Sequence, residues 1–109
     1  MKKLTDKIIN DVENRVILML AQSLKQSVEK DGVMRYGVNN ADYAEAFGII
    51  MGLCLLEYCR QGACNYPASK DNAGWWFSEL KQRTFDLCQK EGYDYVVDTY
   101  AKKCKDLWK

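Results

Sequence analysis

Apolar residues recur every three or four positions in four stretches of the chain, and this periodicity predicts four amphipathic helices. In the first stretch, Thr5 is a suitable N-cap and Gly32 is a suitable residue to follow the last helical turn. The apolar stripe of this helix consists of Ile9, Val12, Val16, Leu20, Leu24 and Val28. The four predicted helices cover about residues 6–30, 41–61, 74–91 and 95–108.

The second predicted helix is apolar on nearly every side between residues 43 and 59, a pattern typical of a helix buried among others. It also contains Gly48 and Gly52, although glycine inside a helix costs roughly 0.5–1 kcal/mol relative to alanine. Because this cost needs a packing reason, we expect the second helix to be the central helix of the domain.

Polar residues, glycine and the only proline lie between the predicted helices, and they indicate loops. The first loop has room for a short extended arm near residues 33–38, but not for the core of a sheet. The sequence therefore predicts an all-α fold, a compact single-domain bundle of about four helices over residues 1–109.

Size and composition are those of an ordinary globular domain, with 109 residues, 48% hydrophobic and 28% charged. The longest apolar run, residues 46–56, is shorter than the roughly 20 residues that span a bilayer. No apolar segment of a signal peptide follows Lys2 and Lys3. The five cysteines are an odd number, which argues against a closed disulfide framework. We expect a cytoplasmic protein that does not enter the membrane.

The net charge of +1 does not provide the positive field on which nucleic-acid affinity depends. The local basic cluster is confined to the end of the fourth helix, where cations also suit the helix dipole. A solvated helix end is the interpretation we favour, and contact with phosphate groups is the alternative. The cluster consists of Lys102, Lys103, Lys105 and Lys109.

Catalytic patterns are missing from the sequence, which contains no histidine and no glycine-rich nucleotide motif. Histidine is the commonest general base and the usual partner of a catalytic cysteine or serine. The acidic residues Asp42, Glu45 and Glu57 of the second helix are explained by its dipole and its polar end. We therefore expect no enzymatic activity and no catalytic or cofactor-binding residues.

The cysteines have the spacing of structural thiols rather than of a metal site. Cys54 and Cys59 are five residues apart, about 140° around a helix, so they cannot hold one ion together. The interpretation we favour is that the thiols fill gaps between helices, and we expect no bound metal. A site made of Cys59, Cys64, Cys88 and Cys104 is the alternative, and Cys64 lies in a predicted loop where oxidation could reach it.

Small residues form one face of the second helix at positions 44, 48 and 52, which are four residues apart. Ala44, Gly48 and Gly52 in this register allow another helix to approach closely. The first interpretation is packing within the chain, against the first or the fourth helix. A symmetric dimer through this face and a groove for a foreign element are the alternatives.

Trp75 lies on the polar side of the third helix, together with Glu79, whereas Trp76 and Phe77 turn toward the core. Exposed tryptophan is enriched at binding hot spots. We predict a partner-binding surface of Trp75, Tyr66, Trp76 and Glu79. The alternative is that Trp75 folds back onto Tyr66 and Pro67 and is buried there.

These features together predict a small non-enzymatic binding protein that needs no cofactor. Small size, helical content and absent catalytic motifs are shared by accessory proteins of phages and mobile elements, including anti-CRISPR inhibitors. We expect direct docking on a host protein, as a monomer or homodimer, because the charge pattern does not suit nucleic acid. The alternative is a DNA-binding transcriptional regulator or antitoxin of the helix-turn-helix type.

Overall fold

Four helices make up the part of the chain that the structure describes, as the periodicity predicts. The computed structural model describes the backbone of residues 6–33, 41–61 and 70–105, and the side chains of 10–33, 41–52 and 74–105. No strand occurs in these ranges, which confirms the all-α bundle. The predicted extended arm, apart from Val33, lies outside them, as do Thr5 and the residues around Pro67. The helices are α1 (Asp6–Asp31), α2 (Ala41–Gln61), α3 (Lys70–Glu91) and α4 (Tyr93–Lys105).

Two glycines end the long helices α1 and α3 by adopting the left-handed conformation. Gly32 has a φ of +73° and donates its N–H to the carbonyl of Val28 at 2.9 Å. Gly92 has a φ of +89° and makes the same bond to Cys88. This is the glycine cap expected after a helix, so the predicted ends of α1 and α3 are confirmed.

Helices α3 and α4 begin earlier than the sequence pattern predicts. Helix α3 starts at Lys70 rather than near residue 74, and α4 starts at Tyr93 rather than near 95. Polar residues such as Asp71 and Asn72 are as typical of a first helical turn as of a loop, so composition alone did not separate the two. The link between α3 and α4 is therefore the single residue Gly92.

Helix α1 is the central helix of the described bundle. All six residues from Val16 to Ala21 are at most 4% exposed, which is more than a full turn of buried surface. Helix α1 contacts α2, α3 and α4, whereas α2 and α4 do not contact each other in the part of the chain that the structure describes. The core around α1 comprises Leu24, Ala46, Ile50, Phe77, Leu80, Cys88 and Val96.

The prediction that the second helix is central is therefore wrong. The residues that make α2 apolar all round include Ala44, Gly48 and Gly52, which bring little apolar area to a contact. Helix α1 instead carries Leu18 and Met19 beside its main stripe, and burying these large side chains yields more free energy.

None of the described helices combines the length and hydropathy of a membrane-spanning segment. This finding covers the described residues only, and it agrees with the shortness of the apolar run in α2.

Two fully buried hydroxyl groups differ in their hydrogen bonding. Thr84 Oγ1 donates to the carbonyl of Leu80 at 2.7 Å. Ser23 Oγ, on the central helix, has no hydrogen-bond partner in the described structure. A buried polar group without a partner costs about 1–3 kcal/mol of desolvation, so we expect Ser23 to destabilise the core.

We expect Ser23→Ala to raise the free energy of unfolding by about 0.5–1 kcal/mol, because it removes the unsatisfied hydroxyl and improves helix propensity. Urea denaturation measures this change. Thr84→Val is the matched control, since it removes a buried hydroxyl that is bonded and should not stabilise. A loss of stability in Ser23→Ala would instead show that its hydroxyl is satisfied, for example by a buried water molecule.

Candidate docking surface on helix α3

Four large apolar side chains are exposed in the described structure: Val33, Phe47, Trp75 and Tyr95. Trp75 has the largest apolar ring system of the four and is 57% exposed. It is therefore not the buried residue that the fold-back alternative predicts. Tyr66 and Pro67 lie outside the described residues, so the predicted grouping of Tyr66 with Trp75 stays a prediction.

Helix geometry places polar side chains around Trp75. Residues three, four, seven and eleven positions further along share its side of α3, and all of them are exposed. We call this surface the Trp75 face. Its members are Trp75, Ser78, Glu79, Gln82 and Asp86.

The polar groups of the Trp75 face make surface interactions with one another and with their neighbours. Gln82 Nε2 donates to Asp86 Oδ1 at 3.0 Å. A Glu79 carboxylate oxygen lies 3.7 Å from Arg83 Nη2, and both side chains are nearly half exposed. Exposed pairs of this kind contribute at most about 1 kcal/mol, so a partner could rearrange them at little cost.

Trp76 points in a different direction, about 100° around the helix from Trp75. Its ring packs against the core, and its Nε1–H donates to Glu13 Oε2 on α1 at 2.7 Å. Glu13 Oε1 also lies 3.5 Å from Arg83 Nη1. This arrangement gives Trp76 a structural role, linking α3 to α1, and its predicted part in partner binding stays a prediction.

We expect Trp76→Phe to lower the free energy of unfolding by about 1–2 kcal/mol, because it keeps a ring in the core but removes the indole N–H bond to Glu13. Trp75→Phe is the matched control on the adjacent residue and should stay within about 0.5 kcal/mol of wild type. Denaturant titration of both variants tests this difference. Equal losses in the two variants would contradict the division of roles between these tryptophans.

An aromatic cluster joins α2 to α3 beside the Trp75 face. The buried ring of Phe77 meets Phe47 and Tyr43 edge to face, with ring centroids 5.0 and 5.3 Å away. Lys81 Nζ lies 3.4 Å from the Tyr43 hydroxyl and 5.4 Å from the centroid of the Phe77 ring. Phe47 remains 39% exposed, so the cluster has an apolar edge at the surface. The sequence analysis missed Phe47, although its position four residues after Tyr43 was a signal.

A shallow, open depression connects this cluster to the Trp75 face. It is lined by Ser78, Lys81, Gln82 and Phe85. Ser78 and Gln82 also belong to the Trp75 face, and Lys81 also contacts the aromatic cluster. A continuous surface of polar and apolar groups therefore runs from Trp75 toward the edge of α2.

The small residues of α2 lie on its outer side. Ala44, Gly48 and Gly52 are all exposed. A Cβ atom added to either glycine would meet no described atom within 4 Å. The prediction that this face packs within the chain, against the first or the fourth helix, is wrong for the described structure, because all three residues are exposed and α2 does not contact α4 there. The dimer and the groove stay predictions.

We expect Gly48→Ala and Gly52→Ala each to raise the free energy of unfolding by about 0.5–1 kcal/mol, because alanine gains helix propensity where space is open. Thermal or urea unfolding measures this change in the free energy of unfolding. Gly92→Ala is the control, and its φ of +89° should make the same substitution destabilising by about 1 kcal/mol. Destabilisation at positions 48 and 52, together with dissociation of a dimer on a sizing column, would show that a second copy packs there.

The two cysteines whose side chains are described are buried, unpaired thiols. Cys88 and Cys104 are each 3% exposed. Burial raises the pKa of Cys88 to about 11 and also raises that of Cys104, so both stay protonated and unreactive near neutral pH. For these two, the prediction of structural thiols is confirmed.

The metal-site alternative is untested, because the side chains of Cys54, Cys59 and Cys64 lie outside the described residues. In the described part of the chain, no three side chains of the metal-binding types come together. Because Cys64 lies outside the described residues, its sensitivity to oxidation also stays a prediction.

We expect stability to fall more steeply with rising pH in wild type than in Cys88→Ala. The folded state holds the Cys88 proton up to a pKa of about 11, while the unfolded thiol titrates near 9.0. The contribution of the neutral thiol is therefore complete below pH 9.0 and is lost as the pH rises toward 11. Denaturation midpoints measured below and above pH 9.0 give the slope of stability against pH for each of the two proteins. Identical slopes, or fast labelling of Cys88 in the folded protein, would contradict its burial.

Asp42 belongs to the packing between α1 and α2, whereas the side chain of Glu57 lies outside the described residues. Asp42, in the first turn of α2, accepts a bond from Gln26 Nε2 of α1 at 3.3 Å. Partial burial raises the pKa of Asp42, Glu45 raises it further, and Arg15 opposes the shift. The bond to Gln26 ties α1 to α2, and this contact explains the position of the carboxylate.

The basic cluster lies at the exposed end of α4, as predicted. Lys102, Lys103 and Lys105 are in the last described turn and are exposed, and Lys109 lies outside the described residues. Lys103 Nζ lies 4.5 Å from the centroid of the Tyr100 ring, so its charge is directed along its own helix. Contact with phosphate groups stays a prediction.

Comparison of the chain with protein-family models, curated proteins and solved structures finds no match. The chemistry and the positions of the described side chains are therefore what indicate a function for this chain. Of these, the exposed indole on a polar helix face is the feature that core packing explains least.

Proposed function

We propose that this chain is a non-enzymatic binding protein that docks on another protein through the Trp75 face and thereby inhibits or regulates it. The observation that carries this proposal is the 57% exposure of Trp75 among polar side chains. Tryptophan contributes more binding energy at protein interfaces than most residues, because it buries a large rigid surface and offers one N–H donor. Flanking polar groups supply the rim that such anchors need.

The Trp75 face alone is smaller than an ordinary protein interface, so the proposed surface also includes the neighbouring border with α2. A standard interface buries about 800 Å² on each partner, which is more than one helical face provides. The depression lined by Lys81 and Phe85 and the exposed edge of Phe47 adjoin the Trp75 face and supply further area. The proposed surface is therefore the outer side of α3 together with its border with α2.

The charges of this surface favour a protein partner over nucleic acid. The exposed carboxylates of Glu79 and Asp86 lie on the same side as Trp75 and would repel phosphate groups. The net charge of the chain is only +1. Lys102, Lys103 and Lys105 lie on another helix, with Asp94 and Asp98 exposed on that same helix.

The biological class that we propose is an accessory protein of a phage or mobile element, with an anti-CRISPR-like inhibitor of a host protein as the leading example. Its support is the short chain, its helical fold and the absence of histidine and nucleotide motifs from the sequence. We place the protein in the cytoplasm, in line with the free thiols of Cys88 and Cys104.

We expect Trp75→Ala to weaken binding of the partner by about 2 kcal/mol or more, roughly 30-fold in Kd, while stability stays within about 0.5 kcal/mol of wild type. The partner is first captured from a host lysate on the wild-type chain and identified, and its affinity is then measured by calorimetry. Tyr95→Ala is the matched control, because Tyr95 is an aromatic residue that is 58% exposed on α4.

The outcomes of this experiment separate the alternatives. Equal affinity of both variants would remove the Trp75 face from the interface, and a stability loss of about 3 kcal/mol in Trp75→Ala would make the residue structural. A gel shift with DNA that weakens steeply as salt is added would instead favour a helix-turn-helix regulator or antitoxin. Sizing of the wild-type chain decides between monomer and homodimer.

A further inference from the structure

We draw no further inference here: the strongest candidate, the exposed apolar face of helix α2 formed by Ala44, Phe47, Gly48 and Gly52, carries none because nothing in the described part of the structure shows what covers it.

Discussion

Burial of the middle of α1 is the interaction on which the other three helices depend. Residues 16–21 are enclosed on every side, so α2, α3 and α4 all pack against the same segment. Hydrophobic burial is not directional. By itself it fixes neither the position of a helix along its axis nor its rotation about that axis. Polar contacts between α1 and each outer helix supply that information. They include Gln26 with Asp42 of α2, Glu13 with Trp76 of α3, and Lys25 with Asp94 of α4 at 2.9 Å.

The link between Glu13 and Trp76 also determines how the candidate surface is presented. Trp75 is adjacent in sequence to a residue bonded to α1, so its backbone is held by the central helix while its ring faces solvent. A rigid anchor loses little conformational entropy on binding, which favours affinity. The surface is therefore held by the core through the backbone of α3, which also carries the buried residues Phe77, Leu80 and Thr84.

Periodicity was enough to predict the four helices, the glycine ends of α1 and α3, and the different orientations of Trp75 and Trp76. Each of these follows from local spacing or from backbone conformation. The central position of α1 could not be predicted this way, because it depends on the competing apolar areas of whole helices. Gly48 and Gly52 show the same limit, since a small-residue face fits a close neighbour or open solvent equally well.

The exposed side of α2 has a consequence for how stability and binding relate in this protein. Glycines at positions 48 and 52 weaken the helix without any described neighbour that would need the space. Phe47 beside them leaves part of an aromatic ring in water, although its other contacts are with buried Phe77. Folding of the described chain gains nothing from the two glycines or from the exposed edge of Phe47, whereas the rest of that ring packs on Phe77. Selection for stability alone would replace the two glycines, so under the proposed function this edge of α2 is where stability and binding would compete.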